Sequence, residues 1–575
     1  MSKAGKLVSQ LFSIRNSYGK KFSSQKLYLL KAISNEKLAS KKDVELFHST
    51  LLFLIAYPDD RAVYTRSSIL LQQLHLYIRS HRKLRDGLYN SGITNTQLCA
   101  AYSFEMVKWM RTIYKKNIRI QSFEASEAQI QAILSVVMPK VESEIMQDGN
   151  AGWRSWLKRF SKKEEDLLDR LIAIFDETDI RPEVKDELWN AIGVNIEIDF
   201  TAPDSLPDPL FIPYYHRSLI KKKTSPPIKG INPPKVRLDK EASEKIIECS
   251  RMILVKHLRE IDPITFTSAE LISYYHLPRG LSIALMGMVP ARRHPIDSYM
   301  GYTVFKNGLP VAYAASWVLF DSARIGLNIF PAYRGGESQY IFEQVLKIHQ
   351  GVYRLKRFST DPYQIGKDNS DGIHSGAFWI YYRAGFRPVR EEQKNIAKKE
   401  AKKIKSVKRY RTPAPVLKKL AESRLELILS KKAVQFDVTD LSRAYAAILK
   451  AQYNNKRNPT EELATKKLAA ILQIKNYREV NLQYVLKNWS ILLLNDEKEL
   501  RSNSGLKKIL KKLFELKAGG SEEEYIYGLQ RSAALKKMME KVLDNISGRA
   551  ILIFNYRLLL RPAMTEKPVQ SKTPR

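Results

Sequence analysis

Eight prolines between residues 202 and 236 divide this chain: Pro203, Pro207, Pro209, Pro213, Pro226, Pro227, Pro233 and Pro234. Each removes a backbone donor and fixes φ, so no regular helix or central strand runs through the segment. Together with the basic knot Lys221–Lys223 it reads as a linker, or as a strap over the surface, with a domain boundary near Arg237. A chain of 575 residues is too long for one core and accommodates three or four domains of about 100–200 residues.

Residues 1–200 read as a helical domain. Asp43–Tyr57, Ser67–Arg82, Thr96–Lys115, Glu127–Met146 and Lys163–Glu177 carry apolar residues at three- and four-residue spacing. Trp153 and Trp156 read either as core or as exposed anchors for a partner. Residues 393–415 form a basic linker with few aromatics, closed by Pro413 and Pro415. It suits a solvated helix, a phosphate-binding arm or a localisation signal. Helical periodicity returns over 416–562, as in Val416–Ser430, Thr460–Ile474 and Ser521–Val542, before a polar tail at 563–575 that reads as disordered.

The net charge of +36 favours acidic partners such as nucleic acid, anionic lipid or nucleotide phosphates, although many lysines also suit solvated helix faces. Leu51–Ala56, Leu281–Met288 and Ala550–Phe554 are the longest apolar runs, all far below the roughly 18 residues a membrane span needs. Met1–Phe12 lacks a long apolar h-region, so no secretory signal is expected. Cys99 and Cys249 form no metal or CxxC spacing, which fits a reducing, cytoplasmic compartment. The nine histidines are scattered, and no Walker loop, HExxH, zinc ribbon or GxSxG motif occurs, so no metal site is expected.

From Leu238 the texture turns mixed α/β. Asp239 is placed to cap a helix over Asp239–Glu260. Leu281–Met288 reads as a strand. Gly301–Lys306 and Pro310–Phe320 read as strands joined at Asn307 and Gly308, a pair suited to a type I′ turn because both positions take positive φ. Arg324–Phe330 follows as a third strand, with Arg324, Gly326 and Asn328 on one face, so that Asn328 faces a cleft. A glycine loop, Arg334–Ser338, then opens a helix over Ser338–Gln350. Such a loop presents unsatisfied N–H groups and the positive end of the helix dipole, a geometry suited to phosphate. A strand at Tyr353–Ser359, a short helix near Ser375–Ala384 and a strand from Phe386 complete the segment.

This order resembles the GNAT superfamily of acyl-CoA-dependent N-acyltransferases. The likeness rests on Pro331–Gly336 and on Ala377–Phe386. Arg334–Ser338 and Ser375–Trp379 also resemble strings found in a bacterial GNAT-like family. The resemblance implies a fold class: a central α/β GNAT-like domain over 238–392, with a mainly antiparallel sheet, flanked by mostly α-helical regions. It implies an acetyl-CoA or other acyl-CoA cofactor and an amine acceptor. Arg334, Gly335, Gly336 and Ser338 would meet the pyrophosphate, and Tyr381 would protonate the departing thiolate. Glu337 and Gln339 stand where the family has small residues, and a carboxylate beside pyrophosphate is repelled unless it points away or is paired. The family's asparagine lies about seven residues before the tyrosine. Here His374 holds that place and Asn369 comes earlier, so the loop Asp361–Gly372 is expanded.

Acyl transfer also needs a base, for which Asp361, Glu337 and His374 are the candidates. The bland alternatives are that His374 caps a helix and that Tyr381, Tyr382, Phe378 and Trp379 are core. Asp368, Asn369 and Asp371 lack EF-hand spacing. The second reading is a non-catalytic GNAT-like binding or scaffold protein, holding nucleic acid or a protein partner through its basic flanks.

Overall fold

A computed structural model describes residues 2–143, 157, 165–202, 204–220, 227–430 and 436–544. Trp153, Trp156, Lys221–Lys223, Ala550–Phe554 and the 563–575 tail lie outside the described residues. The chain divides into two compact units. The first gathers Met1–Arg292, Tyr299–Trp317 and Ala323–Lys431, and the second gathers Arg293–Ser298, Val318–Ser322 and Lys432–Arg575. The chain is mixed α/β, with helical N- and C-terminal regions and a central sheet.

The first unit begins with four helices, Lys3–Ile14, Lys20–Ser34, Lys41–Ala56 and Arg61–Ser80. Ser2, Ser40 and Asp60 cap three of them through N–H groups three residues on. Val8, Leu11, Val44, Leu51, Val63 and Ile78 are fully buried on their inner faces. The region beyond is not purely helical. Thr96–Ala101 (β1), Ile118–Phe123 (β2) and Val194–Phe200 (β3) form a sheet in the order β1-β3-β2. The helix expected over Thr96–Lys115 is thus a strand followed by a helix at Phe104–Tyr114. The reason is alternation: Val194, Ile196, Ile198 and Phe200 are buried, and Ile118 and Ile120 join them.

The main sheet contains Ile272–Leu277 (β4), Leu281–Met286 (β5), Ser298–Lys306 (β6), Leu309–Leu319 (β7), Ser322–Ile325 (β8), Asn328–Ile329 (β9), Arg357–Thr360 (β10), Arg387–Pro388 (β11) and Leu425–Ile428 (β12). Its order is β11-β12-β10-β8-β7-β6-β5-β4, with β9 paired to β7 off this path. The sheet is mixed. The pairs β4–β5, β5–β6, β7–β9, β10–β12 and β11–β12 run antiparallel. In contrast, β8 and β10 are neighbours joined through the Ser338–Val352 helix, the kind of crossover that a parallel pair requires. Asn307 (φ 46°) and Gly308 (φ 79°) make the turn of the β6–β7 hairpin as expected. Asp239 caps its helix, accepting from the Ala242 N–H at 2.7 Å.

β12 overturns part of the helix expected over Val416–Ser430, which stops at Leu420. Leu425 and Leu427 turn into the core, while Glu426 between them pairs with Arg357 at 2.6 Å. In the second unit, the helices Val438–Tyr453, Arg457–Leu472, Val480–Leu494, Ser504–Gly519 and Glu522–Arg531 bury Leu468, Leu486, Trp489 and Tyr525. Lys517 is buried there and donates to Glu522 (2.8 Å) and to the Asp297 carbonyl (2.7 Å).

The proline-rich segment is a strap. Backbone N–H groups of Leu206, His216, Ile231 and Val236 donate to the carbonyls of Gly308, Pro58, Lys347 and Tyr274. It touches the crossover helix at Gly351, where an added Cβ would lie 1.9 Å from the Ile231 carbonyl oxygen. Glycine to alanine within a helix ordinarily gains about 1 kcal/mol. Gly351→Ala is expected to do the reverse, losing about 1–3 kcal/mol by overpacking. Urea denaturation reads the sign, and a stabilised variant would show that the strap does not press on this helix.

Candidate functional site

The third strand of the meander breaks at Gly326 and Leu327. Before the break, the Gly326 N–H still donates to the Ala315 carbonyl at 3.3 Å; beyond it, Phe330 N–H donates to Val311 at 3.1 Å. The Tyr302 hydroxyl donates to the Gly326 carbonyl and fixes the break from within the core. A β-carbon at Gly326 would press on the Gln364 side chain at 3.0 Å, so glycine suits the position. Because β9 follows β7 and leaves the path on which β8 meets β10, the sheet is open beside β9. A cavity of about 390 Å³ occupies that space. Its walls are Leu327–Pro331, the Arg334 loop, and the segment from Gln364 to Tyr381.

The loop divides its two glycines between different tasks. Gly335 lines the cavity at φ +87°, a conformation that favours glycine, and a β-carbon there would meet only Arg15 Nη2, at 3.7 Å. Gly336 does not line the cavity. Its missing side chain admits the Tyr57 ring, which would stand 2.6 Å from a β-carbon. Ser338 begins the helix whose first-turn N–H groups lack intrahelical acceptors, and it lines the cavity with Asn328. Arg334 forms a two-pronged bond to Asp371 at 2.8 and 2.6 Å, and both residues line the cavity. That guanidinium holds the Asp371 carboxyl below its usual range.

Glu337 lies on the other side of the loop. It is fully buried and accepts from Arg279 Nη2 at 2.5 Å, Lys306 Nζ at 2.9 Å and the Ile220 N–H at 2.9 Å. Burial alone would raise its carboxyl, but Lys306, Arg279 and Ile220 outweigh that and hold it below the usual value. The carboxylate that the sequence sets in the glycine loop therefore points away from the cavity and is paired.

Tyr381 closes the far wall. It is buried and its ring packs edge-on against Phe342 and Phe386. Among the described residues its hydroxyl closes no hydrogen bond, although Thr360 and the Leu327 backbone lie near enough to act on it. Burial raises this phenol further above its normal value, so it stays protonated at neutral pH. Asn369 lines the cavity and caps the Ser370–Ser375 helix, accepting from Gly372 N–H at 3.1 Å.

The three expected bases are not brought to the cavity wall. Glu337 is turned away, Asp361 pairs with Arg324 at 3.4 Å, and His374 is exposed. His374 does not end its helix either: Gly376, in left-handed conformation, does. Sequence reasoning missed His257, Arg259, Tyr313 and Asp371, all of which line the cavity. His257 stacks on Phe330 at 4.4 Å and Phe330 on Tyr313 at 5.2 Å, giving a stack of three aromatic rings along the cavity. Burial, with Lys256, Arg259 and Arg334 nearby, pushes the His257 imidazole down to about 3, so it is neutral at pH 7. Only Asp371, two residues from Asn369 in the expanded loop, carried a sequence signal.

No family model, curated protein or solved structure matches this chain.

Glu337→Gln keeps the shape of the side chain and removes its charge. Breaking a buried pair leaves the partner charges uncompensated and costs about 3–5 kcal/mol. A loss of that order is expected in chemical denaturation at pH 7. A loss under about 1 kcal/mol, the scale of an exposed pair, would mean that Lys306 and Arg279 do not depend on this carboxylate.

Proposed function

We propose that the first unit is a GNAT-like N-acyltransferase that moves an acyl group from acyl-CoA to an amine. One observation carries this reading: a single cavity is lined both by Arg334, Gly335 and Ser338 at a helix N-terminus and by the unpartnered hydroxyl of Tyr381. The first group suits a pyrophosphate, because N–H groups, the helix dipole and a guanidinium fork all favour anionic oxygen. The second suits a leaving thiolate, which needs a proton donor. The opening beside β9 leaves strand-edge backbone for the pantetheine arm between them.

The chemistry follows from that arrangement. The amine nitrogen attacks the thioester carbonyl carbon, the N–C bond forms and the C–S bond breaks. Tyr381 delivers its hydroxyl proton to the thiolate sulfur, and the proton that the attacking nitrogen sheds as the amide forms returns to the phenolate, so that no net proton is gained or lost. The amine arrives deprotonated, since the carboxylate on the cavity wall, Asp371, is engaged by Arg334.

Tyr381→Phe tests the role directly. General acid catalysis contributes typically about 10²–10⁴-fold, so turnover of acetyl-CoA with a panel of amines is expected to fall by about that factor. Stability is expected to stay level or rise, because removing a buried unpartnered hydroxyl relieves desolvation. An unchanged rate removes Tyr381 from the reaction. Asp371→Asn is expected to tighten acetyl-CoA binding several-fold in calorimetric titration, because Asp371 competes with phosphate for the Arg334 fork. Absence of saturable binding at millimolar acetyl-CoA in both proteins would count against the cofactor itself.

A binding role is the second reading, favoured by the helix Glu391–Ser406, which exposes Lys398, Lys399, Lys402, Lys403 and Lys405. Nucleic-acid affinity carried by these lysines would fall steeply with salt.

A further inference from the structure

Outside the cavity lining, a buried and a half-buried imidazole converge on one carboxylate. His48 belongs to the helix Lys41–Ala56, His75 to the neighbouring helix Arg61–Ser80, and Asp204 to the proline-rich strap. The two rings lie 5.6 Å apart. Among the described residues, His48 Nε2 and His75 Nε2 are both buried without a hydrogen-bond partner, and His48 is 5% exposed. Asp204 Oδ2 stands 3.5 Å from His75 Nε2, and one donor atom from each of the three residues lies within 4.8 Å of the others.

Buried polar atoms in folded proteins are paired as a rule, so two unpartnered ring nitrogens gathered at one carboxylate need an explanation. Lys256 does not supply it. Its ammonium sits 2.5 Å from Asp204 Oδ1, the other carboxylate oxygen. Neutral imidazole nitrogens and a carboxylate oxygen form a ligand set suited to zinc and its neighbours.

The surroundings are built rather than loose. The Ala202 carbonyl accepts from Thr94 Oγ1 at 3.1 Å, and the Leu206 N–H donates to Gly308 at 2.9 Å, so the strap is anchored on both sides of Asp204. The His75 carbonyl accepts from Asn95 Nδ2 at 2.9 Å. Bonds of about 2.0–2.2 Å to a shared ion require only small side-chain rotations to bring the donors together.

We propose that His48 Nε2, His75 Nε2 and Asp204 Oδ2 bind one divalent transition-metal ion of the zinc class, with water completing the coordination. Lys256 then acts as an outer partner that orients the carboxylate and, by its charge, limits the affinity. The ion fastens two N-terminal helices to the strap. This site shares no residue with the acyl-CoA cavity and stands or falls independently of it.

The test uses the full chain, stripped with a chelator and titrated with Zn²⁺ against a chromophoric competitor. One equivalent is expected to bind tightly and to raise Tm. His75→Gln and His48→Gln are each expected to weaken binding by at least the roughly 10–100-fold that loss of an outer-shell partner costs. Lys256→Met is expected to tighten it. X-ray absorption at the zinc edge of the unaltered protein needs no variant and is expected to show two imidazoles and light-atom ligands. No stoichiometric binding, a sulfur-containing shell, or undiminished affinity in folded His75→Gln overturns the proposal.

Discussion

The arrangement around the cavity depends on one buried carboxylate. Glu337 collects four segments that are far apart in sequence: the β6–β7 hairpin through Lys306, the β4–β5 turn through Arg279, the strap through Ile220, and its own loop. Arg279 passes the constraint onward to the Ser218 carbonyl at 2.8 Å and the Tyr214 hydroxyl at 3.1 Å. Lys306 also donates to the Arg279 carbonyl at 2.6 Å. Two cations and one anion cannot leave water unless each finds several partners, and here each does. The consequence is directional. With Glu337 held inward, the adjoining Arg334 and Gly335 are turned toward the cavity.

That constraint explains the unusual composition of the loop. A small residue at position 337 would leave Lys306, with no exposed side-chain surface, uncompensated. Gly336 is small because Tyr57 from the N-terminal helices packs against it, and the Tyr57 hydroxyl approaches the Glu337 N–H at 3.5 Å. The N-terminal region is therefore part of the loop's support, and the first compact unit spans both for that reason.

Much of the local structure was legible in the sequence because its causes are local. Asn307 and Gly308 state their turn, Asp239 states its cap, and Gly335 to Ser338 state a loop ahead of a helix. Asn328, Arg334, Gly335, Ser338, Asn369 and Tyr381, the residues that the sequence singled out in this stretch, line one cavity. Failures came where partners are distant. Leu425–Ile428 reads as the end of a helix until β10 is present to pair with it. Val194–Phe200 alternates plainly, yet a strand of that length inside a helical region is visible only when β1 and β2 flank it. Nine scattered histidines gave no spacing, because His48, His75 and Asp204 meet through two helices and a strap.

The two charged contacts of the loop differ in what they can do. Glu337 with Lys306 is sealed from solvent, and parting them would strand charge in the interior. Arg334 with Asp371 has side chains 40% and 54% exposed, a setting in which an ion pair is worth about 0–1 kcal/mol. An incoming anion can take the Arg334 fork at little cost, because Asp371 is left in water rather than in the core. The loop thus has one fixed anchor and one exchangeable contact. Only the exchangeable one faces the cavity, which is the arrangement a binding loop needs if it is to hold its shape while its ligand comes and goes.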